Sequence, residues 1–278
     1  MSGTVRLTLV SHAMTAAMSA GRFPIDEALN GLGHRQVIGA ADVERLRKRL
    51  QVLIDEDLEN DDPRRAQDRW MVLNVMLRDP EFMELLVNPA LRSAVDAVLG
   101  DTSILYAFVT SSMPPTGTNY SHRVHVDSQR VIPGYPTNLG VIVAFDDFTD
   151  DNGATYFLPG SFASERVPTD EEFMANAVRA YPRAGDAIIF NARTWHLGGN
   201  NVTGSPRHAV TMNYVRSYMR QHFDFPRMID PADAATIISS VHGSYEGCTS
   251  IRMYGKRGQR MDKKRKGEKE ERADVCCG

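Results

Sequence analysis

Between residues 40 and 60 the apolar side chains recur three and four positions apart. Val43, Leu46, Leu50, Leu53, Ile54 and Leu58 share one face, with Glu, Arg and Lys between them. This spacing predicts an amphipathic helix, ended by Asp61-Asp62-Pro63. A second helical pattern covers about 80–99, where Phe82, Leu85, Leu86, Leu91, Val95, Val98 and Leu99 are apolar and Gly100 stands in a C-cap position. The stretch from Trp70 to Leu77 between them fits a strand or a helix.

From residue 103 onward the texture is that of strands. Ile104–Thr110 is β-branched and aromatic, Leu139–Phe145 is a nearly continuous apolar run, and Thr155–Leu158, Ala187–Phe190 and His208–Tyr218 are further strand-length segments. Turn residues punctuate them. Met113-Pro114-Pro115-Thr116-Gly117, Pro159-Gly160-Ser161 and Gly185-Asp186 are breakers, and Asp150-Asp151-Asn152-Gly153 carries a type I′ signal. Residues 170–180 predict a helical insertion with Thr169 as N-cap and Glu171 and Glu172 in its first turn. Strands of this number and spacing predict a mainly β protein with flanking helices, a double-stranded β-helix or cupin-like jelly-roll barrel.

The two ends differ from the middle. Val5–Val10 fits a strand, followed by Ser11-His12 and a Gly/Pro-punctuated loop. From Lys256 to Asp274 nine Lys/Arg face five Asp/Glu, a local charge of +4, so a solvated helix or a disordered tail is expected there. Three domains of character result: an atypical segment 1–36, a catalytic-type domain 37–255 and a charged tail 256–278. The tail ends in Val275-Cys276-Cys277-Gly278, which is not a C-a-a-X box.

Composition bounds the partners. The net charge of −3 argues against nucleic acid. No apolar run approaches the roughly 20 residues that span a bilayer, and Arg6 interrupts the only N-terminal apolar stretch. Three cysteines make no disulfide framework, so a reducing, cytoplasmic setting is expected.

The chemistry is concentrated in His125-Val126-Asp127. In a strand, residues i and i+2 project to the same face, so an imidazole and a carboxylate would stand side by side with Val126 turned away. A His-x-Asp alone is weak evidence. With a second His it completes the 2-His-1-carboxylate arrangement of open non-haem Fe(II) sites. His196, 69 residues after Asp127, is the candidate third ligand.

From His125 to Tyr214 the order of motifs resembles the phytanoyl-CoA dioxygenase family of Fe(II)/2-oxoglutarate oxygenases. His125-Val126-Asp127, Asn152-Gly153, Pro159-Gly160-Ser161, Gly185-Asp186, His196, Gly199-Asn200 and Arg207, eleven residues past His196, follow that family's sequence, and the helices at 40–99 suit its N-terminal part. Phe162 departs from it, standing where the family often has His. The resemblance implies Fe(II) bound by His125, Asp127 and His196, 2-oxoglutarate and O₂ as co-substrates, and Arg207 on the far carboxylate of 2-oxoglutarate, with Arg216 as the fallback anchor. It implies a small-molecule substrate of acyl-CoA or secondary-metabolite type. Related halogenases carry a small residue in place of the carboxylate, so Asp127 favours hydroxylation. Tyr120, Tyr135, Trp195 and Asn213 are candidate pocket residues, with Trp195 expected on the face opposite His196. His122 is expected at a rim or loop, and His208 outward or packed.

Two other functions stay open. One is a barrel that binds metal without turnover. The other is a phosphatase-type activity, because Leu29–Gln36 and the strand before His12 resemble the start of the histidine phosphatase superfamily. There Ser11 replaces the phosphate-binding Arg and leaves His12 without its charge.

Overall fold

The computed structural model describes residues 32–60, 68 and 70–228. The described residues up to Phe223 belong to one compact unit; of a second, which starts at Asp224, the described part is Asp224 and a single helical turn at Phe225–Met228. His12, the tail from Lys256 and Cys248, Cys276 and Cys277 lie outside the described residues.

Helix α1 (Ala40–Glu59) buries Val43, Leu46, Leu50, Leu53 and Ile54, the face that the spacing predicts. The 70–77 stretch is both of its alternatives in turn. Leu73 bridges to Val109, and Val75–Arg78 then forms the short helix α2. The single helix expected over 80–99 is three pieces: a 3₁₀ turn at Pro80–Phe82, α3 (Met83–Leu86) and α4 (Pro89–Leu99). The break lies at Asn88-Pro89. Pro89 has no N–H to continue a helix, and Asn88 Oδ1 accepts from the backbone of Ala90 and Leu91 at 3.0 and 3.2 Å, starting a new one. Gly100 closes α4 at φ +89° and ψ 158°, a conformation outside αL that glycine alone adopts freely, and its N–H donates to Asp96 O at 2.9 Å.

Two antiparallel sheets follow. The larger has the order β1-β6-β3-β8-β2, from Leu32–Gln36, Asp186–Asn191, Asn138–Ala144, Ala209–Val215 and Ile104–Thr110. Its edge strand β1 comes from the segment that the sequence set apart as N-terminal. The smaller sheet, β5-β4-β7, joins Val178–Arg179, Tyr156–Phe157 and His196–Leu197. Ile142 and Ala144 of β3, Ile188 and Phe190 of β6, Ala209 of β8 and Phe157 of β4 form one buried cluster between them. Burying both faces of β3 explains its nearly continuous apolar sequence after Asn138. Helix α5 (Asp170–Asn176) stands where the helical insertion was expected, with a full Thr169/Glu172 capping box, but ends at Asn176 so that β5 can pair with β4.

Two local expectations fail. Asp150–Gly153 is not a type I′ turn, which needs two residues at positive φ; Gly153 has φ +87° and Asn152 does not. Instead Asn152 Oδ1 accepts from the Thr149 backbone N–H at 2.7 Å, an alternative closure for the loop. The His125 segment is not a strand but one isolated bridge.

Candidate metal centre

That bridge pairs His125 with His196. Each backbone N–H donates to the other's carbonyl, at 3.0 and 2.9 Å, so two histidines distant in sequence lie directly opposite one another. Their rings sit 4.1 Å apart. The main chain of Asp127 is held by a hydrogen bond to Ala192 O at 2.9 Å. Val126, as expected, faces the other way, into a cluster with Phe173 and Trp195. Trp195 is therefore on the side opposite His196.

Each imidazole is fixed in one tautomer. Nδ1 of His125 lies 2.8 Å from Arg123 O, and Nδ1 of His196 lies 2.9 Å from Thr194 O. A carbonyl oxygen only accepts, so both Nδ1 atoms carry the proton and both Nε2 lone pairs are free. Those Nε2 atoms stand 3.7 and 3.8 Å from Asp127 Oδ1, too far for a hydrogen bond. One donor atom from each of the three residues lies within 4.8 Å of the others. Burial, and then the neighbouring His196, push the His125 pKa down to about 4, which keeps it neutral and able to ligate at pH 7. This donor set fits a divalent ion: two neutral nitrogens, one carboxylate oxygen, and ring N–H groups satisfied by carbonyls as second partners of metal histidines usually are.

The larger sheet supplies the floor. Phe190, Gly140 and Asn213 are cross-strand partners in one row across β6, β3 and β8. Phe190 meets the His196 ring edge-on at 5.1 Å, and Phe157 stacks on it at 5.6 Å. Asn213 Nδ2 donates to Asp127 Oδ2 at 3.4 Å, and Asn213 Oδ1 has no partner among the described residues. Sequence reasoning had Asn213 only as a pocket residue. The signal for more was present, since Asn213 is an amide in the middle of the otherwise apolar run Met212–Val215.

Arg207 is buried. Its Nη1 and Nη2 donate to Ser111 O and Gly153 O at 3.1 and 3.2 Å, Nε reaches Asn152 O at 3.5 Å, and the guanidinium lies 3.9 Å above the Phe148 ring. It forms no salt bridge among the described residues. Burial lowers its pKa to about 9, so it remains a cation at pH 7. Tyr120 lies within electrostatic reach of both Asp127 and Arg207, and burial and the Asp127 charge push its phenol above the ordinary range. Arg216, the fallback anchor, is occupied elsewhere, donating to Val98 O, Leu99 O and Pro136 O and stacking on Tyr135. His122 is an exposed loop residue with Nδ1 2.8 Å from Gly198 O. His208 is packed, with Nδ1 3.2 Å from Ser112 Oγ.

Two antiparallel sheets around one core, with a His–Asp–His cluster of this geometry, define a jelly-roll protein with a candidate mononuclear metal centre. The sequence profile of the family described as phytanoyl-CoA dioxygenase (PhyH) matches residues 32–209, and the chain belongs to that family. The uncharacterised protein Rv1501 of Mycobacterium tuberculosis is 31% identical over 219 residues, 75% of this chain and 80% of the relative. Among solved structures, EctD from S. alaskensis with bound Fe matches with a TM-score of 0.60, over 79% of this chain and 81% of EctD at 19% identity. The epimerase SnoN, in complex with Fe3+, alpha ketoglutarate and nogalamycin RO, matches with a TM-score of 0.57, over 74% of this chain and 85% of SnoN at 20% identity. Identities this low establish the shared fold. Among the described residues, no helix is long and apolar enough to cross a membrane.

Proposed function

We propose that this protein is an Fe(II)- and 2-oxoglutarate-dependent dioxygenase that hydroxylates a small molecule, with His125, Asp127 and His196 as the iron ligands. The observation that carries this reading is the pair of imidazoles with Nδ1 tied to carbonyls and Nε2 turned toward Asp127 Oδ1. Family membership and the iron and alpha ketoglutarate named for SnoN support the choice of metal and co-substrate. When bound, iron with 2-oxoglutarate and O₂ supplies the oxidant for an unactivated C–H bond.

The chain's own contribution is placement. Two neutral imidazoles and one carboxylate leave a divalent ion with net positive charge, suited to an anionic chelator. Arg207, a buried cation with no acidic partner among the described residues, binds the far carboxylate of 2-oxoglutarate through the N–H groups that the carbonyls leave over. Its three carbonyl contacts hold the guanidinium still, so little side-chain freedom is lost on binding. Asp127 occupies the place a halide would need, which favours hydroxylation over halogenation.

The test is an anaerobic Fe(II) titration with 2-oxoglutarate, following the visible charge-transfer band. A band in wild type that His196→Ala abolishes supports the reading. No band in folded, iron-loaded wild type moves the weight to a metal-binding barrel without turnover.

A further inference from the structure

A cavity of about 190 Å³ begins at Ser128, the residue after Asp127. Val98, Ile132, Leu139 and Phe162 give it apolar walls. Into this lining comes Arg193, three residues before His196 and only 5% exposed. One of its nitrogens, Nη2, donates to Ser164 O at 2.7 Å. Nε and Nη1, which carry three of the five N–H donors of a guanidinium, are buried with no partner among the described residues. No carboxylate pairs with Arg193 among the described residues. Glu165 acts on it only through space, and burial holds its pKa below the ordinary arginine value.

A buried donor without an acceptor costs about 1–3 kcal/mol, and more when charged. A side chain needed only for packing would be Met or Leu. Trp195, with its ring 5.5 Å from the guanidinium, supplies a favourable face but no acceptor. The other arginine lining the cavity, Arg130, is exposed. One buried cation suits a monoanion better than a dianion.

We infer that Arg193 is the anion subsite of this cavity, and that it holds the carboxylate of a small, otherwise apolar substrate. That the bound molecule is a substrate rests on the dioxygenase reading; that the cavity selects a carboxylate does not.

The test separates the two. Binding of 4-phenylbutyrate and of its uncharged amide is measured by calorimetry, on iron-free protein and on anaerobic protein saturated with Fe(II) and 2-oxoglutarate. Wild type is expected to prefer the acid by about tenfold or more, the value of one charge-assisted hydrogen bond. Arg193→Met, which fills the same space without charge, is expected to bind both forms equally, and Arg193→Lys to keep part of the preference. The 2-oxoglutarate band is expected unchanged in Arg193→Met, and its melting temperature equal to or above that of wild type. Equal binding of acid and amide by wild type, no binding of either, or a preference that survives in Arg193→Met would each overturn the subsite. Loss of the band in folded Arg193→Met would overturn it too, by placing Arg193 in the co-substrate site. If wild type shows no band yet the acid preference depends on Arg193, the dioxygenase reading fails and the subsite stands.

Discussion

Asn213 reaches across from β8 to Asp127, Nδ2 to Oδ2 at 3.4 Å, on the oxygen that does not face the imidazoles. The carboxylate is thereby divided, with one oxygen held by the sheet and the other turned to the metal position. Asn213→Leu keeps the volume and removes the donor. Metal affinity is expected to fall about 10–100-fold, the usual cost of losing an outer-shell partner, with the circular dichroism spectrum unchanged. Equilibrium titration with Fe(II) or Mn(II) checks it.

Gly140 leaves room for Phe190. A Cβ at this position would run into the tip of the Phe190 ring, which itself lies edge-on against His196. Gly140→Ala is expected to cost about 1–3 kcal/mol in denaturant unfolding, as overpacking does, and to weaken metal binding by displacing His196. Adding Phe190→Leu is expected to recover part of the stability.

Arg207 serves the fold as well as the site. Arg207→Ala leaves the carbonyls of Ser111, Asn152 and Gly153 without their donor. A loss of about 1–3 kcal/mol or more is expected from unmet buried groups. In wild type loaded with metal, 2-oxoglutarate is expected to raise the unfolding midpoint by linkage. In Arg207→Ala that increment is expected to disappear, which separates lost binding from lost stability.

His208 makes stability depend on pH. Burial lowers its pKa from 6.5 to about 4, against the attraction of Asp146 and with Arg47 and Arg207 adding to the lowering. The unfolded chain takes up this proton near pH 6.5 and the folded protein only near pH 4. The contribution is therefore complete above pH 6.5 and is lost as pH falls toward 4, at most about 3 kcal/mol at 1.36 kcal/mol per pH unit. Urea midpoints of the metal-free protein from pH 7.5 to 4.5 are expected to fall on this account, with a shallower slope in His208→Asn.

That His125, Asp127 and His196 stand together was legible in the sequence because the signal is local on one side and ordered on the other. A His-x-Asp places two side chains on one face whatever the strand length, and the one-bridge segment still obeys that rule. His196 followed from motif order. Asn213 as the partner of Asp127 was not legible, because the contact depends on which strands are neighbours, and β3 joins β8 across 64 intervening residues of chain. The carbonyl partners of the two Nδ1 atoms depend on loop geometry two residues upstream, which no spacing encodes. Arg193 gives no sequence signal either: an arginine two residues past the end of β6 is ordinary until its burial is known. The helix at 80–99 failed for a reason that was visible, since Pro89 in its middle is a first-turn residue preceded by a capping Asn.

The His125–His196 bridge bears on which ion the centre would choose. Two reciprocal backbone hydrogen bonds set the separation of the two histidines, so the nitrogen pair behaves as a jaw with a restricted gape. A larger or smaller ion cannot be met by moving the two backbones apart without breaking that bridge. The adjustment falls to Asp127, whose carboxylate is the most exposed of the three side chains and is steadied by a single long hydrogen bond. Discrimination by ionic radius is thus delegated to one side chain and its amide neighbour, and that is where the metal preference of this protein is open to redesign.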